Sequence, residues 1–281
     1  MKKLMTILLA ASLSFAFAAC APEAKQETVA EQQPAAQSAE APTAEAPQKI
    51  TIGVDDTYPP MEYRDENNEL VGFDIDFATA LGEEMGVEIE FVSTAWDGIF
   101  TGLTTDKYDC IISSVSITPE RLESYEFSKP YLSNGQVIVV KKGDTSVASS
   151  ADLGGKKVGV QLETTADIAS KKQMEATPFE LSQYDDIIQT FADLKTGRLD
   201  CIVVDYSVAI EYCAKNPEDY EITTTQLTNE PIAVCIKKGN SALKDKVNEA
   251  IGALQEKGTM LSISEKWLGG DYVSEIDEDL R

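Results

Sequence analysis

An internal repeat is the feature that most constrains how this chain can fold. Residues 100–114 and 191–205, which start 91 residues apart, both run from a Phe-x-x-Leu helix end through a short turn to an apolar strand that begins Asp-Cys-Ile. Each copy has the pattern of a helix end, a tight turn and a buried strand. Two such units predict two similar lobes, and a chance resemblance of two helix–strand units is the alternative.

Strands alternate with helices from Lys49 onward. Apolar residues at helical spacing mark helices around 77–85, 187–194 and 243–254. Short apolar or β-branched runs predict strands at 49–54, 89–92, 109–114, 137–141, 157–160, 200–204 and 233–237. The alternation favours an α/β fold with largely parallel sheets, which bind ligands beyond the carboxyl ends of their strands.

The N-terminal segment predicts export. Lys2 and Lys3 precede an apolar run at 4–17 that is short for a membrane span, and small residues follow before Cys20. This end resembles the lipobox of bacterial lipoproteins, although Phe17 stands where Leu is usual. The resemblance implies a signal peptide at 1–19 and a lipid on Cys20. A plain secretory signal with an incidental Cys20 is the alternative.

The segment that follows Cys20 has the composition of a disordered tether. Residues 21–48 are rich in Ala, Glu, Gln and Pro, and Val29 is their one large aliphatic residue. Such a segment has too little apolar surface to form a core. A flexible spacer of 28 residues reaches roughly 30 Å, enough to hold a globular body away from a membrane.

The amino-acid composition excludes several kinds of reaction and partner. The chain has no histidine, which removes the commonest general base and the commonest metal ligand. Ser-His and Cys-His mechanisms are therefore excluded, and we expect neither a metal nor a cofactor. A formal net charge of −24 repels nucleic acid and anionic lipid, so neither is an expected partner. An enzyme that relies on Asp, Glu or Lys remains open.

Four cysteines lie beyond Cys20, and an exported protein could pair them. Cys110, Cys201 and Cys235 lie inside apolar strand-like runs, where a thiol acts as a small hydrophobic side chain, and Cys213 is the fourth. The sequence favours buried thiols over disulfides, although it does not determine connectivity.

Arg121 is the candidate for binding a carboxylate, because its planar fork of donors suits that group. The other three arginines lie at the C-terminus, in a polar turn and behind a predicted helix. Thr118 and Pro119 predict an N-cap and a first helical position, which places Arg121 in the first turn beyond the serine-rich strand end at 113–116. An ordinary surface arginine is the alternative.

The predicted second lobe offers two further candidates. Thr164 and Thr165 follow the strand at 157–160 and predict a helix start with free N–H groups, which an ordinary N-cap would equally explain. Asp205 ends a buried strand with no cationic neighbour in sequence, which suggests a cationic partner. Its alternative role is the N-cap of the helix that follows.

Several longer motifs resemble the polar amino acid family of bacterial solute-binding proteins, which includes receptors for lysine/arginine/ornithine, histidine and glutamine. The resemblance covers nearly all of residues 49–270. The motifs that carry it are D-x-x-Y-P-P-M at 55–61, G-F-D-I-D at 72–76, D-x-I-I-S-S-x-S-I-T-x-x-R at 109–121, F-S-K-P-Y at 127–131, D-L-G-G-K-K-V-G-V at 152–160, G-T at 258–259 and K-W-L at 266–268.

The resemblance implies a two-lobe, periplasmic-binding-protein-like (type II) α/β fold with two hinge crossings that closes on its ligand. It implies that 49–132 with 231–275 form lobe 1, that 133–230 form lobe 2, and that 276–281 are an acidic tail. It also implies a monomeric, extracytoplasmic lipoprotein, anchored to the cell membrane by Cys20. A lipoprotein of that kind captures a free polar L-amino acid for an ABC permease and ATPase complex, so this is the function that the resemblance implies.

The resemblance also assigns residues. By position, Arg121 binds the α-carboxylate with backbone N–H groups near Ser116 and Thr165, while Asp205 and Ser114 bind the α-ammonium. Thr164 lies beside this set. The side-chain pocket is formed by Asp55, Tyr58, Trp96, Ser113 and Gln161. An acid with two aromatic residues suits Lys or Arg, although Asp55 also occurs in receptors for neutral ligands, and without the family these aromatics are as readily core residues.

Three departures put the ligand's side chain in doubt: Trp96 replaces a smaller aromatic residue, Gln161 replaces an apolar one, and Ala166 stands where a polar one is frequent. Two other functions stay open. A dehydratase-like enzyme on the same fold would need a cleft acid with a shifted pKa, for which Glu163 is the sequence candidate. A sensory module would bind the same ligand for a signalling partner.

Overall fold

The computed structural model describes residues 49–223 and 226–279. The predicted signal peptide at 1–19, the lipidation site at Cys20 and the tether up to residue 48 lie outside the described residues. No helix within the described residues is long and apolar enough to span a membrane.

Strands and helices alternate along the described chain, as the sequence predicts. The strands are β1 (Lys49–Val54), β2 (Thr57–Tyr58), β3 (Glu62–Arg64), β4 (Leu70–Val71), β5 (Glu88–Ser93), β6 (Cys110–Ile111), β7 (Tyr125–Phe127), β8 (Gln136–Lys141), β9 (Lys157–Gln161), β10 (Glu180–Tyr184), β11 (Cys201–Asp205), β12 (Tyr220–Ile222) and β13 (Cys235–Lys237). The helices are α1 (Phe73–Met85), α2 (Trp96–Thr104), α3 (Pro119–Ser124), α4 (Thr165–Ala176), α5 (Ile187–Thr196), α6 (Tyr206–Lys215), α7 (Ser241–Glu256) and α8 (Thr259–Leu268), with a 3₁₀ turn at Ser150–Leu153.

The two large sheets have the same construction, which confirms the two-lobe α/β fold. The sheet of lobe 1 has the order β5-β1-β6-β13-β7, and that of lobe 2 has the order β10-β9-β11-β8-β12. In each sheet the first three strands are parallel and the fourth runs antiparallel to both of its neighbours. Strands β6 and β11, which belong to the sequence repeat, occupy the same central place.

The repeat extends to a packing detail that the sequence does not reveal. A Cβ atom on Gly53 of β1 would lie 2.5 Å from the ring of Tyr108, and one on Gly159 of β9 would lie 2.4 Å from Cδ1 of Leu199. Tyr108 and Leu199 stand at equivalent places just before β6 and β11. In each lobe, therefore, a glycine in one strand makes room for the large side chain that leads into the next.

The chain passes between the sheets twice, once after β7 and once after β12. The return segment is tied to lobe 1 by bridges from Ile232 to Ser116 and to Leu132. The predicted lobe boundaries after residues 132 and 230 fall inside these two crossings.

The cysteines beyond Cys20 are free thiols, as predicted. Cys110, Cys201 and Cys235 are buried in the apolar interior and Cys213 is partly exposed. Burial raises the pKa of the Cys213 thiol to about 11 and that of the Cys235 thiol to about 12, so both stay protonated at neutral pH.

The C-terminal segment runs along both crossings. Ser133 N donates to the carbonyl oxygen of Tyr272 at 2.8 Å in the first crossing. In the second crossing, Asn229 Nδ2 donates to the carbonyl oxygens of Asp277 at 2.9 Å and Asp279 at 2.8 Å. Val273 is buried, whereas the acidic side chains of 277–279 are exposed. The backbone of this segment is thus tied to the hinge while its charges face solvent.

Candidate ligand-binding site

A small cavity lies between the lobes, at the carboxyl ends of β1, β6, β9 and β11. Every pocket residue predicted from the sequence lines it, together with one residue that was not predicted. The lining residues are Asp55, Tyr58, Glu62, Trp96, Ser113, Ser114, Ser116, Arg121, Gln161, Thr164, Thr165 and Asp205.

The helix that carries Arg121 begins as predicted. Thr118 Oγ1 accepts a hydrogen bond from Arg121 N at 3.2 Å, and Pro119 occupies the first helical position. Arg121 Nη1 donates to the carbonyl oxygen of Ser116 at 2.9 Å, and the guanidinium lies 4.9 Å from the ring centre of Phe100. Burial lowers the pKa of Arg121, although the group stays cationic at neutral pH.

The charge of Arg121 has no ion-pair partner in residues 49–223 and 226–279. Among the described residues, no carboxylate lies within ion-pair distance of its guanidinium. The buried fork therefore remains available to an anion in the cavity.

Asp205 is held within the protein by three neutral donors: Tyr58 OH at 2.5 Å, Asn134 Nδ2 at 2.7 Å and Gln136 Nε2 at 2.7 Å. Neutral donors satisfy the oxygens without cancelling the charge, and burial raises the pKa of Asp205. The cationic partner therefore stays a prediction that concerns the ligand. Asp205 is also the N-cap residue of α6, as the alternative predicted, although its side chain makes no capping hydrogen bond.

Asp55 and Gln161 meet across the lobes in the cavity lining. Gln161 Nε2 donates to Asp55 Oδ2 at 3.1 Å and to the carbonyl oxygen of Asp185 at 3.2 Å. These two acceptors fix the orientation of the amide, which leaves the buried Gln161 Oε1 without a hydrogen-bond partner among the described residues. The buried indole Nε1 of Trp96 also lacks a partner there. Buried polar atoms of this kind are normally satisfied, so both are available to a bound molecule.

The lobe 2 helix start forms as predicted. Thr164 is the N-cap of α4, its Oγ1 accepting from Asp167 N at 3.3 Å, and Thr165 Oγ1 accepts from Gln136 Nε2 at 3.0 Å. Glu163, the sequence candidate for a catalytic acid, is exposed and does not line the cavity.

The strand predicted at 109–114 is shorter in the structure, because Ser113 and Ser114 leave the sheet and turn into the cavity. Ser114 has a φ of 48°, a conformation that strands do not use. Its N–H donates to Asp74 Oδ2 at 2.6 Å, and Ser113 Oγ accepts from Asp55 N at 2.9 Å.

Sequence reasoning missed Glu62 and two residues that hold Asp205, namely Asn134 in the first crossing and Gln136 at the start of β8. Glu62 is 1% exposed and accepts from Ser113 Oγ at 2.7 Å. It directly follows the D-x-x-Y-P-P-M motif, and that proximity was the available signal. Asn134 and Gln136 carried none, because polar residues are ordinary in a connecting segment and at the end of a strand.

Residues 50–270 match the profile of the bacterial extracellular solute-binding proteins, family 3. The chain is 37% identical over 228 residues to the ABC transporter arginine-binding protein 1 of Escherichia coli K12, covering 80% of this chain and 92% of that protein. It is 35% identical over 223 residues to the L-cystine-binding protein TcyJ of the same organism, covering 79% and 83%.

Solved structures show the same similarity. An ancestral arginine-binding protein bound to arginine superposes with a TM-score of 0.75 at 40% identity, covering 79% of this chain and 99% of that one. The similarity therefore extends over the whole of both lobes.

Proposed function

Because the chain belongs to the bacterial extracellular solute-binding proteins, family 3, we propose that its ligand is a free amino acid with a cationic side chain, arginine first. The protein is an extracytoplasmic solute-binding component of an amino acid ABC importer, as its relatives are. The choice among amino acids depends on the cavity itself.

The observation that carries the proposal is the charge of the cavity lining. Among the described residues that line it, Arg121 is the one cation, against the three carboxyl groups of Asp55, Glu62 and Asp205. A zwitterionic amino acid needs one cation for its carboxylate and one anion for its ammonium. Two acids are then left over at the side-chain end, where they favour a ligand that carries a positive charge.

Each end of the ligand has a counterpart in the cavity. The unpaired guanidinium of Arg121 takes the α-carboxylate, with backbone N–H groups near Ser116 and Thr165. Asp205 takes the α-ammonium with Ser114, and this ammonium supplies the cation that Asp205 lacks within the protein. The side chain extends into the pocket formed by Asp55, Tyr58, Trp96, Ser113 and Gln161.

Closure of the lobes completes the site. Tyr58 and Asp55 belong to lobe 1, and their hydrogen-bond partners Asp205 and Gln161 belong to lobe 2. Both bonds form only when the lobes meet. The lobes therefore close around the ligand as it binds, by rotation about the two crossings. The closed form is the one that presents the loaded protein to the permease.

The proposal also covers the lobe boundaries, the membrane anchor and the protein partners. Residues 49–132 with 231–275 move as one lobe, 133–230 as the other, and 276–281 form an acidic tail. A lipid on Cys20 and the tether that follows it hold a monomeric body at the outer face of the cell membrane, beside an ABC permease and its ATPase. We assign no catalytic role, since the relatives are binding proteins.

Thermal unfolding of the purified protein against the twenty amino acids and cystine tests the proposal. A ligand that binds only the folded state stabilises it by about 2.7 kcal/mol at a hundredfold excess over its dissociation constant. We expect the largest shift with arginine, and its loss in Arg121→Ala but not in the matched surface variant Arg198→Ala. Arg198 is exposed and pairs with Asp193.

Three other results would redirect the assignment. A shift with cystine or glutamine alone would keep the amino acid site but overturn the cationic ligand. Turnover of a prephenate-like substrate would favour the enzyme. Co-purification with a sensor in place of a permease would favour the signalling module.

A further inference from the structure

Glu62, which lines the cavity, and the buried Asp74 form a pair of carboxyl groups. Glu62 is 1% exposed and Asp74 is fully buried. The start of α1 is bound to the strand that carries Glu62, with Phe73 N donating to Pro60 O at 3.0 Å and Asp74 N to Met61 O at 2.9 Å. The backbone therefore fixes the two acids side by side.

Gly72 makes this close approach possible. Its φ is 141°, a region that other residues rarely adopt, and a Cβ atom there would lie 2.1 Å from Met61 O. The juxtaposition of the two acids is thus built into the backbone and does not depend on flexible side chains.

The hydrogen bonds show which acid holds a proton. Asp74 accepts from Ser114 N at 2.6 Å on one oxygen and from Tyr131 OH at 2.8 Å on the other, the environment of a carboxylate. Glu62 Oε1 accepts from Ser113 Oγ at 2.7 Å, while no donor in the described part of the chain reaches its Oε2. A proton on Glu62 that is donated to Asp74 satisfies both groups.

Arg121 lines the same cavity, whereas the titratable groups that raise the pKa of Glu62 offer no positive charge. Asp55 follows β1, Tyr58 belongs to β2, Asp74 opens α1 and Tyr131 precedes the first crossing; all are acids or phenols. No ion pair in the described part of the chain includes Glu62, Asp55 or Asp74. Neighbouring carboxyl groups cannot both ionise easily, and burial together with Asp74 raises the pKa of Glu62 well above its usual value.

We infer that Glu62 determines specificity by its proton: it releases the proton to solvent when a cationic side chain occupies the cavity, and keeps it when the side chain is neutral. This inference rests on the proposed amino acid site and adds a mechanism to it. A cationic ligand turns Glu62 into a counter-ion, whereas a neutral ligand meets a neutral acid that can only donate or accept one hydrogen bond.

Proton release makes the affinity for a cationic ligand depend on pH. Between the pKa of Glu62 in the complex and its higher pKa in the free protein, the affinity rises up to tenfold for each unit by which pH increases. Over the same interval the affinity for a neutral ligand stays constant.

Calorimetry of arginine binding in two buffers with different heats of protonation measures the released protons directly. At pH 7 we expect up to one proton per arginine from the wild type, in excess of any released with citrulline, the neutral isostere with the same α-groups. Glu62→Gln keeps the hydrogen bonds to Ser113 and Asp74 but carries no proton to release. This variant should release no such proton when arginine binds, and it should bind arginine at least tenfold more weakly than the wild type.

The outcomes separate the two proposals. Arginine binding without proton release overturns the inference and leaves the proposed function intact, and this wild-type result decides even if Glu62→Gln fails to fold. Release that persists in Glu62→Gln assigns the proton to another acid, and loss of that release in Asp55→Asn would identify Asp55. Absence of arginine binding would overturn the proposed function itself.

Discussion

Tyr58 and Asp205, 147 positions apart in the sequence, share a hydrogen bond of 2.5 Å that joins the two lobes through the candidate site. Asp205 is also the acid assigned to the ligand's ammonium. The same carboxylate therefore lines the candidate site and is bound to the opposite lobe, to Asn134 in the first crossing and to Gln136 of β8.

We expect Tyr58→Phe to weaken arginine binding at least tenfold, mainly through faster dissociation. The change removes one hydrogen bond to a charged group, worth about 1.5–3 kcal/mol, and keeps the aromatic ring. Stopped-flow dissociation measures the effect. Tyr63→Phe is the matched control, since Tyr63 packs edge-on against Trp267 outside the cavity. Equal dissociation rates for wild type and Tyr58→Phe would contradict the role of this bond.

Asp205→Asn should separate binding from stability. Removing a buried partner of the ligand's ammonium costs about 2–5 kcal/mol of binding free energy, so arginine affinity should fall at least 30-fold. The melting temperature of the free protein should stay the same or rise, because burial disfavours the ionised acid. Calorimetry and thermal unfolding measure the two effects. Asp186→Asn, at an exposed N-cap that Asn suits equally, should change neither.

The free energy of unfolding should fall with pH in the ligand-free wild type, relative to Glu62→Gln. Burial raises the pKa of Asp74 from 3.8 to about 6 and that of Glu62 well above 4.5. An acid whose pKa is higher in the folded state stabilises the fold through its proton. This stabilisation is complete at pH values below the pKa of the unfolded state and is lost as pH rises through the pKa of the folded state.

Urea unfolding at pH 5 and pH 8 measures this difference. Between pH 5 and pH 8, the free energy of unfolding of the wild type should fall by at least about 1.4 kcal/mol more than that of Glu62→Gln, since one pKa unit corresponds to that energy. The exposed Glu69→Gln should follow the wild type. Parallel curves for Glu62→Gln and wild type would show that Glu62 titrates normally.

Gly53→Ala and Gly159→Ala should each destabilise the protein by about 1–3 kcal/mol, because the added methyl group overlaps Tyr108 or Leu199. Chemical denaturation measures the loss. Gly252→Ala is the control: no atom lies within 4 Å of its added Cβ, and it lies inside α7, so alanine should be neutral or stabilising there. Equal stability of all three variants would contradict the packing argument.

Local features of the fold were predictable from the sequence. Thr118 with Pro119 and Thr164 mark helix starts through contacts within three residues, and these interactions are written into neighbouring positions. The repeat predicted the two lobes because both copies bury the same kind of strand. The predicted strand ends were less accurate beside the cavity, as at Ser113 and Ser114, which leave the sheet to line it.

Features that depend on distant contacts were not predictable. The donors to Asp205 come from positions 58, 134 and 136, and no local pattern connects them. The proton on Glu62 depends on Asp74, which the fold alone places beside it. Neutral donors satisfy the oxygens of Asp205 within the protein and leave its charge for the predicted cationic partner, because hydrogen bonding and charge neutralisation are separate requirements.

The C-terminal segment offers a natural position for an optical reporter. Its backbone is bound to Ser133 in one crossing and to Asn229 in the other, while the side chain of Glu278 faces solvent. A dye attached at position 278 would therefore be carried by the two crossings, which bend in the proposed closure of the lobes. Its fluorescence would follow occupancy without any label in the cavity, which would turn the protein into an amino acid sensor.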